Sequence, residues 1–228
     1  MVNKFAISDI HGCLKTFKAL LNKVDYKKTD ELYLLGDFID RGPDSKGVID
    51  FVWELEEAGF YVRCLRGNHD QMMVDARRTM DLQQTWLVNG GDTTAENFNA
   101  SHIRDIPARY FNFFEQLPYY LEVDSYIMVH AGFKFDMPDP FDEFHAMLWE
   151  REWYDRIDYR WLGDRKILHG HTPIIKSTMI KSLYNLETTQ YLDIDAGCVH
   201  KGKEPGYGHL ACFLLNEKEI IFQENIDF

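Results

Sequence analysis

Short apolar runs alternate with amphipathic stretches through the first third of the chain. Residues 4–8, 31–35 and 60–65 are hydrophobic runs of strand length, and each predicts a buried strand. Between them, 14–24 carries Phe17, Leu20 and Leu21 on one helical face, and 46–58 reads as a helix closed near Gly59. This β-α-β-α-β order predicts parallel strands joined by right-handed crossovers. Residues 71–116 have a helical pattern interrupted by Asn89-Gly90-Gly91 and Pro107. Strand-like runs return at 119–123, 126–129, 166–168, 191–194, 210–214 and 220–223. The expected fold class is therefore α/β, with two mixed β-sheets packed as a sandwich between flanking helices. With no repeat or linker in view, a single domain over 1–228 is expected, with a mainly helical insert at about 71–117.

Five polar segments follow apolar runs in order: Asp9-Ile10-His11, Gly36 to Arg41, Gly67-Asn68-His69-Asp70, Val129-His130 and His169-Gly170-His171. Side chains at strand ends can converge on one point, where sites on open α/β sheets are usually found. Imidazole, carboxylate and carboxamide without thiolate suit manganese, iron or zinc. A hydrolase built on two metal ions is the expected class. Two such ions sit roughly 3.5–4 Å apart and need an anionic bridge, which Asp37 at the end of its strand can supply. Asp40 and Arg41 place an acid beside a bidentate binder of phosphate oxygens. Asn68 can offer an amide oxygen, while its neighbour His69 points elsewhere and is free for proton transfer. Taken singly, each segment has an ordinary reading as a cap, turn or structural histidine. His169 keeps that reading, as a residue supporting the site rather than a ligand.

Composition narrows the choice. Asp and Glu total 37 against 25 Lys and Arg, for a formal charge of −12, which argues against a nucleic-acid partner. The four cysteines show no CxxC pairing, and Cys64 and Cys212 lie in apolar runs as expected of buried thiols. No apolar run approaches the ~20 residues that span a bilayer, and Asp9 comes too early for a cleaved leader. A cytoplasmic protein without a membrane partner is expected.

The ordered set SDIHG from Ser8, GDFIDRGPDS from Gly36, RGNHD from Arg66, VHAG from Val129 and HGHTP from His169 resembles the calcineurin-like metallophosphoesterases. Within them it is most similar to the phosphoprotein phosphatase branch that includes the lambda phage enzyme. Fainter echoes are WLVNGG from Trp86, LWER from Leu148 and DIDAGCV from Asp193. The resemblance implies that Asp9, His11 and Asp37 hold one metal, and that Asp37, Asn68, His130 and His171 hold the second. It implies His69 as general acid oriented by Asp40, with Arg41 and Arg151 clamping phosphate. The implied cofactor is a pair of divalent ions, Mn(II) first, with Fe, Zn or Ni as alternatives, and a bridging hydroxide attacks phosphorus in line.

His69 is expected to have its pKa raised by Asp40. Asp70 replaces the branch's usual glutamate, and His200-Lys201-Gly202 replace an aromatic residue and two glycines, which opens substrate preference. Pro173, where many other metallophosphoesterases have a ligand histidine, favours the phosphoprotein phosphatase branch. The expected activity is a serine/threonine-type protein phosphatase acting as a monomer on a phosphorylated protein or a small phosphoester. The alternative is a diadenosine tetraphosphate hydrolase, for which Trp86, Phe133 or Trp153 could supply a stacking face. A non-catalytic protein-binding scaffold stands behind both, since every expected ligand is present.

Overall fold

The computed structural model describes residues 2–203 and 205–228 of the chain. The first half runs β1 (Lys4–Ile7), α1 (Leu14–Lys23), β2 (Glu31–Leu34), α2 (Ser45–Glu57) and β3 (Tyr61–Cys64). Helices α3 (Asn68–Asp75), α4 (Met80–Trp86), α5 (Asp92–Asn97) and α6 (Ala108–Gln116) follow. Then come β4 (Tyr120–Val123), β5 (Tyr126–Val129), α7 (Phe144–Trp149), α8 (Tyr159–Leu162), β6 (Lys166–His169), α9 (Lys176–Thr189) and β7 (Tyr191–Asp193). The described chain closes with the hairpin β8 (His209–Leu214) and β9 (Glu219–Glu224).

Two mixed sheets form, ordered β3-β2-β1-β8-β9 and β4-β5-β6-β7. In the first, β1, β2 and β3 are parallel and β8 joins β1 antiparallel. In the second, β4 is antiparallel to β5, while β5, β6 and β7 are parallel. The period-two alternation of strand side chains explains the layering. On β1, Phe5 and Ile7 join the core under the helices, which also holds Phe17, Leu20 and Val52, while Ala6 faces the second sheet. On β2, Leu32 and Leu34 point to the helices, and Tyr33 to the inter-sheet layer with Tyr126, Met128, Leu168 and Leu192. On β5, Ile127 and Val129 turn outward to a third cluster with Phe133, Met147, Trp153 and Leu162. The result is helix, sheet, sheet, helix, as the strand pattern predicts.

The 14-residue helix α9 is absent from the sequence expectation. Only Met179 and Leu186 are buried on it, too sparse an apolar stripe for periodicity to register. A left-handed Gln190 ends it (φ 56°).

Candidate active site

The strands deliver their C-terminal loops to one place. Beyond β1 and β2 the two loops stay zippered, with His11 N donating to Asp37 O (2.9 Å) and Gly12 N to Phe38 O (2.9 Å). The two sheets meet where His130 Nδ1 lies 2.8 Å from Leu35 O. Six side-chain-bearing residues here adopt left-handed backbone: Asp9 (φ 50°), His11 (46°), Asp37 (53°), Asp40 (72°), Arg41 (69°) and His171 (71°). Such conformations cost on the order of 1–3 kcal/mol each and persist only where the surroundings over-determine them. The four-layer packing supplies that constraint, and the turns aim buried polar groups inward.

Asp37 lies at the centre. Its Oδ2 is 3.4 Å from His11 Nε2 and its Oδ1 is 3.5 Å from His130 Nε2. One carboxylate oxygen therefore faces each side of the cluster, as a bridge requires. Potential ligand atoms of Asp37, His130 and His171 lie within 4.8 Å of one another, and so do those of His11, Asp37 and His69. Asn68 Oδ1 belongs with the first group, 2.9 Å from both His130 Nε2 and His171 Nδ1. Asp9 lines a small space with His11, Arg41 and His171, and its Oδ2 accepts from His171 N (3.0 Å) and from the Ser8 hydroxyl. All six residues expected as ligands are thus brought together and buried.

His69 shares the second cluster by proximity, but its bonding sets it apart. Its Nδ1 is 2.8 Å from Asp40 Oδ2, which leaves Nε2 as the free ring nitrogen. Asp40 is held on three sides: Trp86 Nε1 donates to both carboxylate oxygens at 3.1 Å, and Thr94 Oγ1 donates to Oδ1 at 2.7 Å. Burial nonetheless raises the Asp40 carboxyl to about 7, against the lowering by Thr94, Trp86 and Arg41. The expectation that Asp40 raises the His69 pKa is reversed. Burial, followed by the positive field of Arg41, puts the imidazole well below its ordinary value. Desolvation disfavours the charged form of both partners, so the pair titrates as a unit.

Arg41 Nη1 lies 3.1 Å from His11 Nε2. Gly90 accepts from Arg41 N (3.0 Å) with a left-handed φ of 106°, and a Cβ there would sit 2.6 Å from Arg41 Cγ. Glycine at 90 is what permits this close approach. Arg151 reaches the rim, its Nη1 donating to His171 O and Thr172 Oγ1, both at 3.1 Å. Asp70 clamps the bridge loop from below, accepting from Gly67 N (2.8 Å), Asp37 N (3.0 Å) and Phe38 N (3.2 Å). Its one-methylene departure from glutamate is thus absorbed in backbone contacts. His169 points away from the cluster, with Nδ1 3.0 Å from Gly170 O and its ring against Trp153 and Tyr154.

Sequence reasoning missed the roles of Trp86 and Thr94, although WLVNGG was visible as a motif. Of the two jobs open to Trp86, Phe133 and Trp153, a stacking face or core packing, the structure shows packing. Trp86, Phe133 and Trp153 are each only 1% exposed and are packed in the core.

The donor set fits metal ions. His11 Nδ1 and His130 Nδ1 each face a backbone carbonyl at 2.8 Å, which holds the Nε2 lone pairs toward Asp37. His171 Nε2 is buried with no hydrogen-bond partner. Burial drives the carboxyls of Asp37, Asp193 and Asp195 well above their usual range, Asp9 adding to all three. Cations among these acids would relieve that cost. Overlapping triads that share one carboxylate, on a four-layer α/β fold, define a dinuclear metal centre of the phosphoesterase kind.

Comparison with known proteins agrees. The calcineurin-like phosphoesterase family model matches residues 5–206, and the chain belongs to that family. It is similar to serine/threonine-protein phosphatase 1 of Salmonella typhimurium, at 29% identity over 81% of this chain and 85% of the relative. It is also similar to the asymmetrical bis(5'-nucleosyl)-tetraphosphatase PrpE of Oceanobacillus iheyensis, at 26% identity over 94% of this chain and 89% of the relative. Among solved structures, a protein provisionally assigned as a diadenosine tetraphosphatase shares the fold with a TM-score of 0.68 at 20% identity, covering 98% of this chain and 94% of that one. The chain is a metal-dependent phosphoesterase with a dinuclear site. Among the described residues, no helix is long and apolar enough to cross a membrane.

Proposed function

We propose that the protein hydrolyses dinucleoside polyphosphates, cleaving a dinucleoside tetraphosphate into unequal nucleotides. The observation that carries this reading is extent: PrpE tetraphosphatases align over 94% and 88% of this chain, against 81% for the protein phosphatase. The sequence expectation of a serine/threonine protein phosphatase becomes the second reading, supported by the likeness to the Salmonella enzyme. Both readings use the same centre, and both treat the chain as one domain.

In the proposed mechanism Asp9, His11 and Asp37 would hold one divalent ion, and Asp37, Asn68, His130 and His171 would hold the other. Bound there, the ions supply Lewis acidity and lower the pKa of water to near neutrality. Arg41 and Arg151 hold the phosphate oxygens whose charge redistributes in the transition state. His69 gives the proton at Nε2 to the leaving oxygen and takes its replacement at Nδ1 from Asp40. The proton count belongs to the pair: neutral His69 with a protonated Asp40 keeps Nε2 in its N–H form. Burial of the Asp40 carboxyl, which disfavours its charged form, favours that state.

The test is side-by-side product analysis on metal-depleted protein restored with manganese, given diadenosine tetraphosphate and a phosphoserine peptide at matched concentrations. Faster cleavage of the dinucleotide to unequal products is expected. Faster phosphate release from the peptide would hand the site to the second reading.

A further inference from the structure

A groove of about 410 Å³ opens between α3–α4 and α7, beside the metal centre. Its size falls within the roughly 300–1,000 Å³ of small-ligand sites. Its walls adjoin the centre through two elements. Helix α3 carries Asn68 and His69 at its start and Gln71, Met72 and Asp75 on the groove wall. On the other wall, Trp149 packs edge-on against His171, with ring centroids 6.3 Å apart at 86°. We infer that this groove seats one purine nucleoside of the substrate, an inference that rests on the dinucleoside reading above.

Phe144 carries the argument. It stacks on Tyr119 (4.9 Å, 19°) and remains 50% exposed, so a flat aromatic surface is left uncovered. The stack is braced from behind by Arg66, whose guanidinium lies 4.8 Å from the Tyr119 ring centroid and donates to the Tyr119 hydroxyl (3.0 Å). Arg66 also donates to Gln71 Oε1 (2.8 Å), which leaves the Gln71 amide NH₂ to donate. Asp75, paired to Arg78 at 3.2 Å, supplies acceptor oxygens on the same wall. A braced ring face beside a carboxylate and a carboxamide meets the two demands of a purine, a flat apolar face and an edge of donors and acceptors. The fully buried Trp86, Phe133 and Trp153 cannot do this.

The experiment compares inhibition of p-nitrophenyl phosphate hydrolysis by AMP and by inorganic phosphate in the manganese-loaded enzyme. AMP is expected to inhibit at about one-tenth the concentration of phosphate, the order of one base stack. Phe144→Ala should bring AMP to parity with phosphate while the phosphate constant holds, and Phe144→Tyr should restore the difference. Parallel movement of both constants, or no movement of either, overturns the inference. So does a Phe144→Ala loss confined to a phosphoserine peptide, which would make the groove a peptide site. Failure of the underlying reading looks different. An AMP advantage that Phe144→Ala removes, without turnover of diadenosine tetraphosphate, upholds the nucleoside slot and refutes the dinucleoside reading. Turnover of the dinucleotide with no AMP advantage does the reverse.

Discussion

Thr94→Val tests how the His69–Asp40 pair is tuned. The substitution preserves shape and deletes one hydroxyl, which donates to Asp40 Oδ1 at 2.7 Å. The Asp40 backbone N–H, which Thr94 also accepts from, keeps Ser45 Oγ at 3.0 Å. A hydrogen bond to a charged group contributes about 1.5–3 kcal/mol, and one pKa unit is worth about 1.4 kcal/mol. Losing this donor should therefore raise the Asp40 carboxyl by about 1–2 units, from a value already lifted to about 7 by burial. Since the protonated pair is the acid, its active form survives to higher pH. The alkaline limb of kcat/KM for an alkyl phosphate should move up by that amount, with bound cations shifting wild type and variant alike. For p-nitrophenyl phosphate, whose leaving group needs no proton, the limb should stay in place. An acid limb that moves up while the alkaline limb stands still would refute the reasoning, because Asp40 would then act only as a carboxylate.

Two further predictions follow from the same geometry. His69→Asn should lower kcat on an alkyl phosphate by roughly 10²–10⁴ and cost much less on p-nitrophenyl phosphate; equal losses would remove His69 from the acid role. The metal-free protein should lose stability as pH rises above about 7.5. Above the ordinary histidine range the imidazoles are neutral in both states, whereas folded Asp37, Asp193 and Asp195, raised well above their ordinary values, give up later the protons that the unfolded chain has already released. Below it the lowered His11, His69 and His171 act in the opposite sense, since the unfolded chain takes up protons they refuse. A Tm series in chelator checks this: a rise in Tm above about pH 7.5 would contradict it, and loading with manganese should flatten the slope.

The strands and their loops were legible because each carries its own local signal. Apolar runs at β1, β2, β3, β5 and β6 end in Asp, Asn or His beside glycine, which put the six candidate ligand positions in view, and the family resemblance suggested their roles. Helix α9 was not legible, since its buried face reduces to Met179 and Leu186. The environment of Asp40 was also hidden. Trp86 and Thr94 lie 46 and 54 residues from it, and no local pattern says that two helices of the segment after β3 close over that carboxylate. The His69 error has the same origin: an acid beside an imidazole suggests a raised pKa, but the outcome depends on burial that only packing fixes. Gly90 against Arg41 shows a middle case, where the motif was visible and its purpose was not.

The proposed mechanism stands on a dinuclear centre bridged by Asp37. Metal content per chain, measured after stripping and reloading with manganese, tests it most directly in the wild type and in Asp37→Asn. Two ions per wild-type chain are expected, with activity rising as the second binds, and an inactive Asp37→Asn that retains at most one. Full activity at one ion per chain, or near wild-type turnover by Asp37→Asn in metal-controlled buffer, would contradict it.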